Sequence, residues 1–231
     1  MTRASIYLAG LSAAMLLASG PALRFGWADI KSGLLMFAGS AVLAFLAALL
    51  AGIAWLRHHP NRMAGIVFAA AAVLCLVPLS QIVPAFGKPP IHDIATDPAD
   101  PPLFSAVLPL RRNAPNAIVP FDVKRTALQR KGYPDIVPLE LPVPADAAFA
   151  KALDAAKRSG WEIVSSRPSD GVIEATDTTA WFGFRDDVAV RIRQRVGGSR
   201  IDVRSTSRVG GGDAGKNAQR IRRFLGMLAE K

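Results

Sequence analysis

Three long stretches without a charged residue constrain this chain more than any other feature: Ala4–Leu23, Gly33–Leu56 and Met63–Gly87. Crossing the hydrocarbon core of a bilayer takes roughly 20 apolar residues, and each stretch is long enough. A core helix of a water-soluble domain seldom lacks charge on every side over that length. Three membrane-spanning helices are therefore expected, at about 4–23, 33–56 and 63–87. Composition agrees, with 51% hydrophobic residues and a mean hydropathy of +0.26. Arg3, the first apolar run and the small residues Ala18-Ser19-Gly20 also have the form of a signal peptide. The two later runs favour a retained anchor.

Basic residues flanking the spans set their orientation. Arg3, Arg57 and Arg62 put three Lys/Arg on one side, and Arg24 with Lys31 put two on the other. The richer side is expected in the cytoplasm, which leaves the C-terminal part outside. Trp27 and Trp55 stand near span ends, where interfacial anchors belong. Beyond Gly87 there are 23 Lys/Arg and 17 Asp/Glu, a net charge of +6. That balance favours anionic neighbours without selecting among lipid, polymer and protein. Cys75, the only cysteine, lies inside the third run, so the soluble part has neither a disulfide nor a catalytic thiol.

Residues 1–87 thus read as a transmembrane region. Beyond them, prolines at 89, 90, 98, 101, 102 and 109 forbid a long regular element. Residues 88–143 are expected to be a proline-rich, extended, partly turned connector. An α+β domain is expected over 144–231, a four-stranded antiparallel sheet flanked by two helices. Phe149, Ala152, Leu153 and Ala156 make a helical stripe that stops at Gly160. Two strands come next, around "RPSDG". Then Phe182, Phe184, Val188, Val190, Ile192 and Val196, and Ile201, Val203 and Val209, mark two further strands. Gly197-Gly198 reads as their two-residue loop, which sets Ile192 opposite Val203, Val190 opposite Ser205, Arg193 opposite Asp202, Arg191 opposite Arg204 and Asp187 opposite Arg208. Ile221, Leu225 and Leu228 line a closing helix from about Ala214 to Leu228, with Asp213 as its N-cap.

Between the last strand and that helix the chain reads G-G-G-D-A-G-K-N, one residue from a Walker phosphate loop. Asn217 stands where the magnesium-binding hydroxyl belongs. Only 14 residues come after it, too few to supply a Walker B strand, and the sheet reads as antiparallel. The glycines serve to reverse the chain, and no nucleotide is expected.

Phe184 with Asp186-Asp187, then "RSTSRVG" from Arg204 to Gly210, and Asp213, Gly215, Asn217, Arg220 and Ile221 together resemble the bacterial domain-of-unknown-function family 1499. "PPIHDIATDPADPPLF" resembles the segment that opens the domain in membrane-anchored members. The resemblance covers about 89–229. This chain departs from it in lacking an early cysteine and in having Gly212 where a serine is common. The family has no established activity, so the resemblance implies a boundary and not a mechanism. With the spans and the basic residues flanking them, a bacterial origin makes the expected protein a multi-pass one of the bacterial inner membrane, its C-terminal domain periplasmic.

Catalytic chemistry has little to draw on. The histidines are His58, His59 and His92, none inside 144–231, so neither a Ser-His-Asp triad nor a His/Cys zinc site is available there. No metal and no cofactor is expected. Asp186 is the one carboxylate projected onto the apolar face, to be satisfied by Ser207, Asn217 or Arg220. Asp187 is expected to pair with Arg208, and Ser205 and Ser207 to let a helix approach the sheet. The candidate cluster is Asp186, Asp187, Arg204, Ser205, Ser207, Arg208, Asp213, Asn217 and Arg220. On the polar face Arg191, Arg195, Arg200 and Arg204 exceed the acids, a candidate anion-binding face unless "HDIATDPAD" lies across it. The expected function is a non-enzymatic envelope module for an anionic lipid, polymer or protein, with membrane lipids but no nucleic acid as partners. The alternative is an envelope hydrolase or transferase using Asp186, Asp187 and His92.

Overall fold

A computed structural model describes residues 1–57 and 61–229. His58, His59 and Pro60 of the expected cytoplasmic loop lie outside the described residues. The chain divides into two compact units: Met1–Phe86 together with the short loop Ala180–Gly183, and the remainder from Gly87.

The first unit is built on helices α1 (Thr2–Arg24), α2 (Ile30–Arg57) and α3 (Arg62–Ile82), the last extended by a 3-10 turn at Val83–Ala85. All three are long and apolar enough to cross a membrane. Their large side chains, such as Leu35, Phe45, Leu49 and Leu76, are exposed, as a lipid-facing surface requires. The buried contacts use small residues. Ser5, Ser12 and Ser19 recur along one stripe of α1, and Ser12 Oγ donates to the Ser40 carbonyl of α2 at 2.8 Å. Ala44, Ala47, Ala51 and Ala54 line the buried side of α2, where small residues let helix backbones approach.

The second unit is an antiparallel sheet of six strands, β1 (Asp93–Ala95), β2 (Leu139–Leu141), β3 (Glu162–Arg167), β4 (Val172–Thr178), β5 (Arg185–Arg195) and β6 (Gly198–Ser207). β3 to β6 form a meander, and both β1 and β2 pair with the far edge of β6. The helices are α4 (Val123–Gly132), α5 (Ala145–Arg158) and α6 (Lys216–Ala229). Ile94, Val188, Val190, Ile192, Ile201 and Val203 face Ala152, Phe149, Ile221 and Phe224 in one core, where Trp161 stacks on Phe224 at 5.0 Å between ring centroids.

Two expectations need correction. The sheet has six strands, not four, because 88–143 is not an extended connector. It supplies β1, β2 and α4, and its Ile91, Ile94, Tyr133 and Ile136 enter the core. Prolines exclude long elements, but two three-residue strands fit between them. The hairpin register is also slipped by two. Val196 and Gly197 form the turn, with Gly197 at φ +80°, and Gly198 begins β6. Val190 then opposes Val203, Ile192 opposes Ile201, Arg191 opposes Asp202 and Asp187 opposes Thr206. The slip pairs apolar residues directly with apolar ones. It also puts Gly198 against the Leu141 carbonyl, where no Cβ would fit. A two-residue slip preserves parity, so the side chains that stay within β5 and β6 keep their expected faces, whereas Val196, expected on the apolar face, is fully exposed in the turn.

Candidate functional site

Alternation along β4, β5 and β6 sorts the polar residues onto two faces. Asp177, Asp186, Ser205 and Ser207 join the helix side. Glu174, Thr176, Asp187, Asp202 and Arg204 take the other, and each face holds its own polar network.

On the helix side the centre is Arg220 of α6. Its Nη2 donates to Asp186 at 2.6 Å, its Nε to Asp177 at 2.7 Å, and its Nη1 to Ser205 Oγ and Asn217 Oδ1. Burial works to lower the Arg220 pKa, but Asp186 and Asp177 outweigh it and hold the guanidinium above its usual range. Asn217 ties the network to the connector: its Nδ2 donates to the His92 carbonyl at 2.9 Å and to Ser207 Oγ at 3.0 Å. Ser205 and Ser207 thus both spare room for the helix and bond to it.

Asp213 closes the start of α6. Its carboxylate accepts from the amides of Gly215 at 2.9 Å and Asn217 at 2.6 Å. It occupies the position where a phosphate loop would hold its phosphate. Burial and the nearby Asp186 charge push the Asp213 pKa up against those amide bonds. Gly215, at φ +81°, lies under the Tyr133 hydroxyl, which has no hydrogen-bond partner among the described residues and whose pKa burial and Asp213 push up to about 12.

On the opposite face Asp187 is wholly buried. It accepts from Arg208 Nη2 at 2.8 Å and Nε at 2.9 Å, from Arg111 Nη1 at 2.6 Å and from Thr176 Oγ1 at 2.7 Å. Burial raises its pKa, and the two arginines with Thr176 more than reverse that, so it stays ionised below the usual carboxylate range. Arg204 grips Asp93 at two points and lies over the rings of Phe104 and Phe121, 5.3 and 5.2 Å from their centroids. Asp202 collects Arg191, Arg193 and Arg200, and Asp97 and Asp100 bond the same arginines from outside. Glu174, also wholly buried, accepts from the amides of Ser105, Ala106 and Val107 and from Ser105 Oγ.

The acidic segment "HDIATDPAD" therefore lies across the arginine face. Arg191, Arg200 and Arg204, expected as an open anion-binding set, are neutralised by Asp93, Asp97, Asp100 and Asp202. Arg195 alone of the four has no acidic partner among the described residues. It lines a cavity of about 310 Å³ at the hairpin tip with Glu140, Leu141, Val196 and Ser199. Asp186 and Asp187 are not brought into one site, and His92 joins the helix-side cluster through its carbonyl. Among the described residues no group of His, Cys, Asp or Glu is arranged to hold a metal ion. Sequence reasoning missed Arg111 and Glu174. The alternation of "VIEAT" could have flagged Glu174 as a polar-face carboxylate, whereas Arg111 sits in aperiodic chain that gives no such signal.

Spans and sheet define a membrane-anchored α+β protein whose soluble unit is locked by internal arginine–carboxylate networks. The chain belongs to the family described as protein of unknown function (DUF1499), which matches residues 93–228. That match begins at β1, the strand that supplies Asp93 to the arginine face. No curated protein matches the chain.

Proposed function

We propose that this protein is a multi-pass bacterial inner-membrane protein whose C-terminal unit is periplasmic and serves as a non-enzymatic module for an anionic component of the envelope. The observation that carries the non-enzymatic reading is the divergence of Asp186 and Asp187. As consecutive residues of a strand they point to opposite faces, and each is already held by arginine. A general acid or nucleophile must reach a substrate, and these carboxylates are spent on holding the fold. The anionic partner is inferred from the excess of basic residues beyond Gly87 that in-chain acids leave over.

Fusions placed after Lys88 test the orientation. Alkaline phosphatase should be active there and a fluorescent protein that folds only in the cytoplasm should stay dark. Mass spectrometry of molecules retained by the purified full-length chain tests the partner: acidic lipid or polymer should co-purify. A retained small substrate that the protein converts would refute the non-enzymatic reading.

A further inference from the structure

The acids that close the arginine face leave another basic surface untouched. α4 reads V-K-R-T-A-L-Q-R-K-G, with no acid inside it. At 100° per residue, Arg130, Val123, Ala127, Lys131 and Lys124 fall in one arc of about 120°. All five are exposed. The opposite side buries Gln129, whose amide exchanges hydrogen bonds with the main chain of Ala95. Lys124, Arg130 and Lys131 have no acidic partner among the described residues. Among the described residues, Arg125 beside them makes one acidic approach, 3.9 Å to the helix cap Asp122, and its Nη1 has no hydrogen-bond partner. α5 differs in kind, since it carries Lys151, Lys157 and Arg158 alongside Asp146 and Asp154. Val123 adds an apolar side chain to the α4 arc and is 89% exposed.

The covalent chain limits where this arc can be. Gly132, the last residue of α4, packs against Pro89, whose Cγ lies 2.7 Å from the place a Gly132 Cβ would take. Pro89 is four residues beyond Ala85, where the third apolar helix ends. Four residues of fully extended chain reach at most ~14 Å. The C-terminal end of α4 is thus tethered to the membrane exit by a very short length of chain, and that chain contributes another exposed cation, Lys88.

We infer that the Lys124–Ala127–Arg130–Lys131 face of α4 binds the anionic headgroups of the bilayer in which the protein is anchored, with Val123 entering the headgroup layer. The inference rests on the anionic-partner reading and names the partner as lipid. Basic residues beside a membrane anchor are attracted to acidic lipid, and an apolar side chain in the same arc adds insertion. Arg191, Arg193, Arg200 and Arg204 of the sheet are less suited to this, being committed to Asp93, Asp97, Asp100 and Asp202.

The test uses the full-length chain in nanodiscs of phosphatidylcholine and in nanodiscs of phosphatidylcholine mixed equally with phosphatidylglycerol. Amide hydrogen exchange is monitored by mass spectrometry. The α4 amides should exchange at least about tenfold more slowly in the acidic discs at low salt, because each Lys/Arg near an anionic surface is worth about fivefold in association. High salt should remove the effect, while β5 and β6 serve as an unchanged control. The combined Lys124→Gln, Arg130→Gln and Lys131→Gln variant should lose the lipid dependence with β5 and β6 still protected. Equal α4 exchange in the two lipids, or lipid dependence that survives the triple variant, would overturn the inference. Lipid dependence confined to another segment would overturn it while leaving the anionic-partner reading standing. No response anywhere, with no acidic molecule co-purifying, would sink both.

Discussion

Arg204 of β6 holds Asp93 of β1 in a two-point ion pair, Nε to Oδ1 at 3.0 Å and Nη2 to Oδ2 at 2.7 Å, across 111 residues of sequence. Both side chains are almost fully buried. The pair fastens the proline-rich segment to the hairpin and turns an apparent surface arginine into an internal one. Removing one partner strands the other charge, so Asp93→Ala and Arg204→Ala should each cost about 3–5 kcal/mol. The double variant should lose much less than the sum, with a coupling of at least about 1 kcal/mol. Native-state hydrogen exchange of the β6 amides reads these values.

Asp187 should be the least replaceable carboxylate of the unit. It satisfies two arginines and Thr176 with no solvent access. Asp187→Asn keeps the shape and removes the charge, and should destabilise β5 and β6 by about 3–5 kcal/mol. If Asp187 served catalysis instead, the variant would fold with unchanged exchange.

Glu174 fixes the turn at 105–108 by accepting three successive amides. Glu174→Gln should cost about 2 kcal/mol, since hydrogen bonds to a charged group are worth roughly 1.5–3 kcal/mol. Exchange should accelerate at 105–111 before it changes in α5 or α6.

Acid sensitivity arises from the same groups. The Glu174 and Asp187 carboxyls lie below their ordinary values of 4.5 and 3.8 in the folded state. Burial opposes this, and the hydrogen bonds and arginines prevail. A depressed folded pKa contributes stability that is present above the unfolded value and lost as pH falls through the folded one. The contribution of these two carboxyls should therefore hold from neutral pH down to the ordinary carboxylate range and be lost below, while Asp213, whose pKa is raised, works in the opposite sense. A pH series of β6 exchange checks this, and Glu174→Gln should flatten its share of the slope.

The glycine-rich turn should be indifferent to nucleotides. Asp213 already occupies the amides at the start of α6, and a second anion there would face its charge. Lys216→Ala should leave the unit folded, with β5 and β6 still protected from exchange. Calorimetry with ATP and magnesium should show no heat of binding in either protein. Micromolar binding abolished by Lys216→Ala would contradict this.

What could be read from the sequence depended on periodicity. The three apolar runs and the alternation in β5 and β6 are long patterns, and they carry the spans, the strands and their faces. The side-chain parity of Asp186 and Asp187 was legible, as were the partners Arg220 and Arg208. The register was not, because Val196-Gly197 and Gly197-Gly198 both make acceptable turns, and the choice is set by β2 packing on Gly198. The strands at 93–95 and 139–141 are too short to show alternation. Their pairing rests on contacts such as Gln129 with Ala95 and Arg204 with Asp93 that no local pattern announces.

Amide exchange across residues 92–108 in the full-length protein tests the central claim most directly, that this segment is part of the folded unit and closes its arginine face. The Thr96 amide bonds the Val203 carbonyl at 2.9 Å, the Ala95 amide bonds Gln129 Oε1 at 3.1 Å, and the Ser207 amide bonds the His92 carbonyl at 2.9 Å. The account predicts that Ala95 and Thr96 are protected to the same extent as Val203 and Ser207 and lose protection with them in Asp93→Ala. Exchange of 92–108 at the rate of an unstructured linker, with β5 and β6 still protected, would contradict it.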